Sequence, residues 1–169
     1  RRWVNEAYER LESVGYSITS AYTAVKNPNQ TKFVYRDRLW SGADMVALGV
    51  ASFGHLGGIH YQNLTHIDQY CDTVESGGSV LRRALLTSDE ERFVREMILQ
   101  WKLGRVRPSY FLEKFGIDLY ERFSDVFREW KESGDLNEGE DELCLSRDAL
   151  LRVDSMLYRF FLPQHQDAD

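Results

Sequence analysis

Three of the four histidines, His55, His60 and His66, fall within a dozen residues, and imidazoles gathered so closely invite a metal or a haem. Their spacings of five and six match neither the i, i+4 pair of a helical zinc site nor a CxxC-plus-His pattern. Surface or hydrogen-bonded histidines are the plainer reading, and a histidine beside a cleft keeps a haem- or substrate-ligand role open. Gly49-Val50-Ala51-Ser52-Phe53-Gly54 has the look of a glycine-rich phosphate loop, yet it holds no GxGxxG and no Lys-Ser/Thr pair follows. Ser52 lacks the glycine on both sides that a nucleophile elbow needs. Cys71 and Cys144 are too far apart for a CxxC and read as buried free thiols. The residues alone therefore assign no catalytic group and no metal ligand.

These residues need elements to place them. Trp3, Ala7, Tyr8, Leu11 and Val14 recur at helical spacing, with Gly15 as the C-cap. Tyr16 to Lys26 is β-branched and aromatic, which predicts a strand that Asn27-Pro28-Asn29 breaks. Helix then strand is the rhythm of an α/β barrel. The apolar run Met45 to Val50 reads as a buried strand forming a cleft wall, its glycines allowing close backbone approach. Thr65 opens a helix through Ile67, Tyr70, Cys71 and Val74 that Gly77-Gly78 ends. That glycine pair is the expected boundary between residues 1–78 and 79–169.

Beyond it, Thr87-Ser88-Asp89-Glu90 reads as a capping box for a helix with Phe93, Met97, Ile98 and Trp101 inward. Pro108 starts a second helix that Gly116 closes, and Asp118 caps a third through Trp130. Leu136 to Leu145 has a hairpin pattern, and Ser146 begins a last helix to Phe160. The expected architecture is thus α/β plus α: the C-terminal remnant of an open, TIM-like α/β barrel followed by a helical, winged-helix-like C-terminal domain.

With 169 residues, 43% of them hydrophobic, the chain can bury a sizeable core, and 27 acidic against 21 basic residues give a net charge of -6. That balance disfavours nucleic acid and anionic membranes. The third helix of the winged-helix-like part carries Asp118, Glu121, Asp125, Glu129 and Glu132, the wrong sign for phosphate contacts. No apolar run reaches the roughly 20 residues of a bilayer crossing, and no signal peptide opens the chain. A cytoplasmic location is the expectation. The start on Arg1, without an initiator Met, reads as an excised segment.

The run Asp44-Met45-Val46-Ala47-Leu48-Gly49-Val50-Ala51-Ser52-Phe53, with Tyr61-Gln62-Asn63, resembles the late barrel segment of the oxygen-independent coproporphyrinogen III oxidases. Downstream, Tyr70, Gly77, Arg82-Arg83-Ala84-Leu85-Leu86-Thr87, Asp89 and Arg95 resemble that family's link from barrel to helical domain. The resemblance implies a parent oxidoreductase of haem biosynthesis. In such an enzyme a [4Fe-4S] cluster cleaves S-adenosylmethionine, and the radical formed initiates oxidative decarboxylation of porphyrinogen propionates to vinyl groups. The CxxxCxxC motif for that cluster is absent from this sequence, so the segment alone is not expected to be competent. The resemblance places cofactor contacts at Tyr35, Ala51, Ser52 and Phe53. It makes Arg36 and Arg38, with Arg82 or Arg83, candidates for pairing with the carboxylates of a tetrapyrrole. Phe53 stands where the family has an aliphatic residue and Tyr35 where it has an amide, so a haem-binding, haem-transfer or haem-degrading relative is the alternative.

Overall fold

The computed structural model describes residues 2 to 166. In chain order its elements are α1 (Arg2–Ser13), β1 (Ser17–Ser20), β2 (Thr23–Val25), α2 (Val34–Trp40), β3 (Phe53–Leu56), β4 (Ile59–Asn63), α3 (Ile67–Glu75), β5 (Leu81–Leu86), α4 (Asp89–Trp101), β6 (Arg105–Val106), α5 (Pro108–Phe115), α6 (Leu119–Arg122), α7 (Ser124–Glu132), β7 (Leu136–Glu138), β8 (Leu143–Leu145), α8 (Arg147–Leu151) and α9 (Val153–Met156). Two 3-10 turns, Leu157–Phe160 and Pro163–His165, follow. They form two compact units, one of residues up to Val34 with those from Phe93 onward, the other Tyr35–Arg92.

The first unit holds the aromatic core. Fully buried Trp101 meets Trp130 edge-on at 5.5 Å and Phe127 at 6.2 Å, and stacks on Phe160 at 6.2 Å. Such edge-to-face pairs favour one packing because ring edges are positive and faces negative. The expected starts and stops are borne out. Pro108 stands at the start of α5, Gly116 closes it in the left-handed region, and Asp118 accepts from the amides of Tyr120 and Glu121. Ser146 accepts from the Ala149 amide. The third helix does break at Phe123, into α6 and α7, and the last one is divided among α8, α9 and a 3-10 turn. The hairpin β7–β8 forms as expected and gains β6, in the order β6-β8-β7.

The expected single strand Tyr16 to Lys26 is instead the hairpin β1–β2. Its turn comes from a side chain, the Ser20 hydroxyl accepting from the Tyr22 amide at 3.2 Å. The Ala21 amide donates to the Lys102 carbonyl at 2.9 Å. Tyr22 donates to Asp154, which also pairs with Lys102 at 3.0 Å, and Arg147 pairs with Glu12 at 2.7 Å. These bonds tie the first 25 residues to the later helices. Burial alone would raise the Asp154 carboxyl, but Tyr22 and Lys102 together bring it below its ordinary value.

The second unit is built on a three-stranded sheet, β3-β4-β5. Its first hairpin turns on Gly57 and Gly58, with φ of 57° and 78°. Two successive positive φ values make the tight turn that follows strand twist, and glycine takes them without a Cβ clash. Thr87 closes the sheet end through its amide and hydroxyl, at 2.9 and 2.6 Å from the Gly58 carbonyl. The capping box lies one residue later than expected. Ser88 accepts from the Glu91 amide at 3.2 Å, and Glu91 accepts from the Ser88 amide at 2.8 Å.

The expected barrel end therefore takes the form of open sheets. Every strand pairing among the described residues is antiparallel, in the hairpins β1–β2, β3–β4 and β7–β8 and also where α3 lies between β4 and β5. The run Met45 to Val50 is not a buried strand. Met45 makes an isolated bridge to His55, and Val46 and Leu48 are 63% and 84% exposed.

Candidate functional site

Most of the residues singled out by chemistry or resemblance lie on one short loop and the sheet beside it, all within the second unit. The loop, residues 46 to 52, runs into β3 and has no strand partner of its own. In its first half the backbone groups find side chains instead. The Ala47 amide donates to the Tyr61 hydroxyl at 2.9 Å, and the Gly49 amide to the Tyr70 hydroxyl at 3.1 Å. The Asn63 carboxamide donates to the carbonyls of Ala47 at 3.3 Å and Gly49 at 3.0 Å. Ala51 has φ 59°, a left-handed conformation uncommon for a residue with a Cβ. It is held by its amide donating to the Leu64 carbonyl at 2.7 Å and by Gln62 donating to its carbonyl at 3.2 Å. Ser52 donates back to the Leu48 carbonyl at 2.8 Å, a loop-closing role rather than that of a nucleophile.

Phe53 begins β3 and lies half exposed in a cross-strand row with Gln62 and Arg83. Its ring stacks on His60 at 5.8 Å, and the Arg83 guanidinium sits over it at 6.0 Å. Gln62 orients that arginine by accepting from its Nε at 2.9 Å. The guanidinium makes no hydrogen bond through its terminal nitrogens among the described residues. Phe53, His60, Tyr61, Gln62, Arg83, Ala84 and Leu85 line an open hollow of about 210 Å³. An aromatic face carrying a cation suits a ligand that joins a planar ring to a carboxylate.

The remaining candidates are not in that hollow's lining. Tyr35, on α2, is 70% exposed and donates its hydroxyl to the Met45 sulfur at 3.0 Å. Arg36 is paired with its neighbour Asp37 at 2.7 Å and lies over Trp40 at 5.4 Å. Arg38 is exposed. Arg82 donates to the Thr65 hydroxyl at 3.2 Å. His55 is buried, 6.0 Å from His60 ring to ring, while His66 is exposed at the start of α3. No group of three His, Cys, Asp or Glu that could hold a metal ion is assembled among the described residues. Cys71 is exposed and Cys144 partly so, which corrects the expectation of two buried thiols. Two such cysteines, in separate units, do not fit the three-thiolate demand of a [4Fe-4S] cluster. Sequence reasoning considered His60 only as a haem or substrate ligand and gave no role to Gln62, Asn63 or Tyr70, although these three stood within the resemblance.

No family model matches the chain. Over 86 residues, 50% of its length, it is 27% identical to the oxygen-independent coproporphyrinogen III oxidase of Pseudomonas aeruginosa, 18% of which the match covers. Among solved structures it is similar to coproporphyrinogen III oxidase (HemN) from Escherichia coli, described as a radical SAM enzyme. The TM-score is 0.73 at 16% identity, over 93% of this chain and 39% of that one. By fold, then, the chain is a mixed helix-and-sheet protein of the HemN kind. The sequence match points the same way, and the resemblance to that family is borne out: the chain is similar to the oxygen-independent coproporphyrinogen III oxidases. It spans well under half the length of either relative.

Proposed function

We propose that this chain supplies the ligand-facing loop and the helical C-terminal part of a radical-SAM enzyme similar to the oxygen-independent coproporphyrinogen III oxidases. The parent reaction is oxidative decarboxylation of porphyrinogen propionates. Residues 1–78 then correspond to the end of an open α/β barrel and 79–169 to a winged-helix-like C-terminal domain. A [4Fe-4S] cluster with S-adenosylmethionine would supply the radical chemistry, and this chain's thiols are unsuited to holding the cluster. What its own residues do is bind and orient. Ala51, Ser52 and Phe53 offer backbone and ring to S-adenosylmethionine, Tyr35 is a further contact for it, and Arg83, with Arg36 and Arg38, pairs with carboxylates.

The observation that carries this reading is the Arg83 guanidinium held over the Phe53 ring by Gln62. Removing an unpaired, oriented guanidinium from a carboxylate site costs a charge-assisted bond, about 1.5–3 kcal/mol, or more than tenfold in affinity. Binding of S-adenosylmethionine and of a coproporphyrin by the full-length protein, with Arg83→Ala, Arg36→Ala and Phe53→Ala, tests it. Arg83→Ala is expected to weaken at least one ligand tenfold, and unchanged affinity for both in all three variants would remove the reading.

His60, stacked on Phe53 in the same hollow, favours one second reading, a haem-binding or haem-degrading relative in which an imidazole ligates iron. Haem titration followed by visible absorbance, with His60→Ala and His55→Ala, separates the two. A ligated-haem spectrum lost in His60→Ala would select the second.

A further inference from the structure

We infer that Tyr61, Asn63 and Tyr70 are positioning residues that set the backbone of loop 46–52, and through it the place where Ala51, Ser52 and Phe53 meet a ligand. The ligand half of this inference rests on the reading of that loop as the contact for S-adenosylmethionine.

A loop beside a sheet can be held by ladder hydrogen bonds, by its own turns, or by side chains. Here the ladder stops at Met45, whose amide and carbonyl bond His55 at 2.6 and 2.8 Å. Between it and the backbone bonds of Ala51 to Leu64 and of Asn63 to Ser52, at 2.7 and 3.0 Å, the groups of Ala47 and Gly49 are taken by side chains from β4 and α3. Tyr61 takes the Ala47 amide, Asn63 the Ala47 and Gly49 carbonyls, and Tyr70 the Gly49 amide. Asn63 is 3% exposed and uses one amide nitrogen to bridge two carbonyls two residues apart, which fixes the spacing between them. Tyr61 can reach Ala47 because Gly54 lies directly beneath its ring: a Cβ there would stand within 2.5 Å of Tyr61 Cε1 and Oη. Gln62 and Leu64 hold the next residue, Ala51, in its left-handed conformation. A loop that needed only to connect α2 to β3 would not require five bonds from side chains outside it and a positive φ at a residue with a Cβ. Held this way, its conformation is set before a ligand arrives, which spares the ordering cost on binding.

The test uses the full-length protein and two near-isosteric changes. Tyr70→Phe deletes only the hydroxyl that accepts from Gly49, and Asn63→Asp replaces the bridging donor with an acceptor. Two readouts are taken, amide exchange of a peptide covering residues 46–52 and S-adenosylmethionine affinity by equilibrium dialysis. Loss of one neutral hydrogen bond is expected to speed loop exchange about fivefold in Tyr70→Phe, with a larger effect in Asn63→Asp. Affinity should fall in parallel, while exchange in the rest of β4 and in α4 stays at wild-type rates. Should Asn63→Asp not fold, Tyr61→Phe takes its place. Wild-type exchange of the loop in both variants would overturn the inference, as would faster loop exchange with undiminished affinity. If the wild-type protein does not bind S-adenosylmethionine, the ligand reading fails, and the exchange measurement alone decides whether these side chains position the loop.

Discussion

Replacing Gly54 by Ala inserts one methyl group between two paired strands, and its effect should depend almost wholly on Tyr61. The two residues face each other across β3 and β4. A Cβ built on Gly54 lies within 2.5 Å of Tyr61 Cε1 and Oη. Comfortable contact between carbons begins at about 3.5 Å, so the ring must retreat by about 1 Å. Its hydroxyl accepts from the Ala47 amide at 2.9 Å, and a shift of that size breaks the bond. Overpacking of this kind costs about 1–3 kcal/mol, and the lost hydrogen bond adds about 1 kcal/mol. The expected destabilisation is about 2–4 kcal/mol by urea unfolding. In a Tyr61→Ala background the clash is gone, and alanine should then be better than glycine in the strand by about 0.5–1 kcal/mol. The cycle thus predicts a change of sign. A Gly54→Ala cost that is the same in both backgrounds would refute the reasoning.

Three further outcomes are expected. Glu96 is buried in the first unit, where Lys114 reaches both of its oxygens at 2.9 Å and Tyr110 donates at 2.6 Å. Lys114→Met leaves that carboxylate buried without its cation; because Lys114 is itself 40% exposed, the cost should be about 1–3 kcal/mol. Most of it should return in the Glu96→Gln, Lys114→Met double variant, as measured by unfolding. Burial, then Glu138, raises the Tyr120 hydroxyl from 10.0 to about 12. A raised folded value means stability fully present below pH 10.0 and lost as pH rises through about 12, so Tyr120→Phe should flatten the alkaline limb of the stability profile. Trp101→Ala, at the fully buried centre of the aromatic core, should cost about 3–5 kcal/mol, seen as a lower unfolding midpoint.

The helices of the first unit were legible because their signals are local. Pro108, Gly116, Asp118 and Ser146 each act within one turn of their own position. What was hidden depends on partners far along the chain. The turn at Ala21-Tyr22 has neither glycine nor asparagine, and Ser20 and the Lys102 carbonyl make it. The run Met45 to Val50 has the composition of a strand, but beyond Met45 the groups of Ala47 and Gly49 are taken by Tyr61, Asn63 and Tyr70 instead of by a neighbouring strand. β5, with Arg82-Arg83 in its first half, carries no alternation to announce it and is exposed along its whole length. Of the site, the loop could be found by its glycines and by resemblance. The Phe53, Gln62, Arg83 row could not, because register between strands decides it.

The proposed role of this chain is as part of a radical-SAM enzyme acting on porphyrinogen propionates. Its most direct test is anaerobic turnover by the full-length protein with its cluster reconstituted, given S-adenosylmethionine, an electron donor and coproporphyrinogen III, with products resolved by mass. Stepwise loss of carboxyl groups as vinyl groups form is the expected result, abolished or strongly slowed in Arg83→Ala. Intact coproporphyrinogen after cleavage of S-adenosylmethionine, together with modification of added haem, would contradict it and move the protein to the haem-processing alternative.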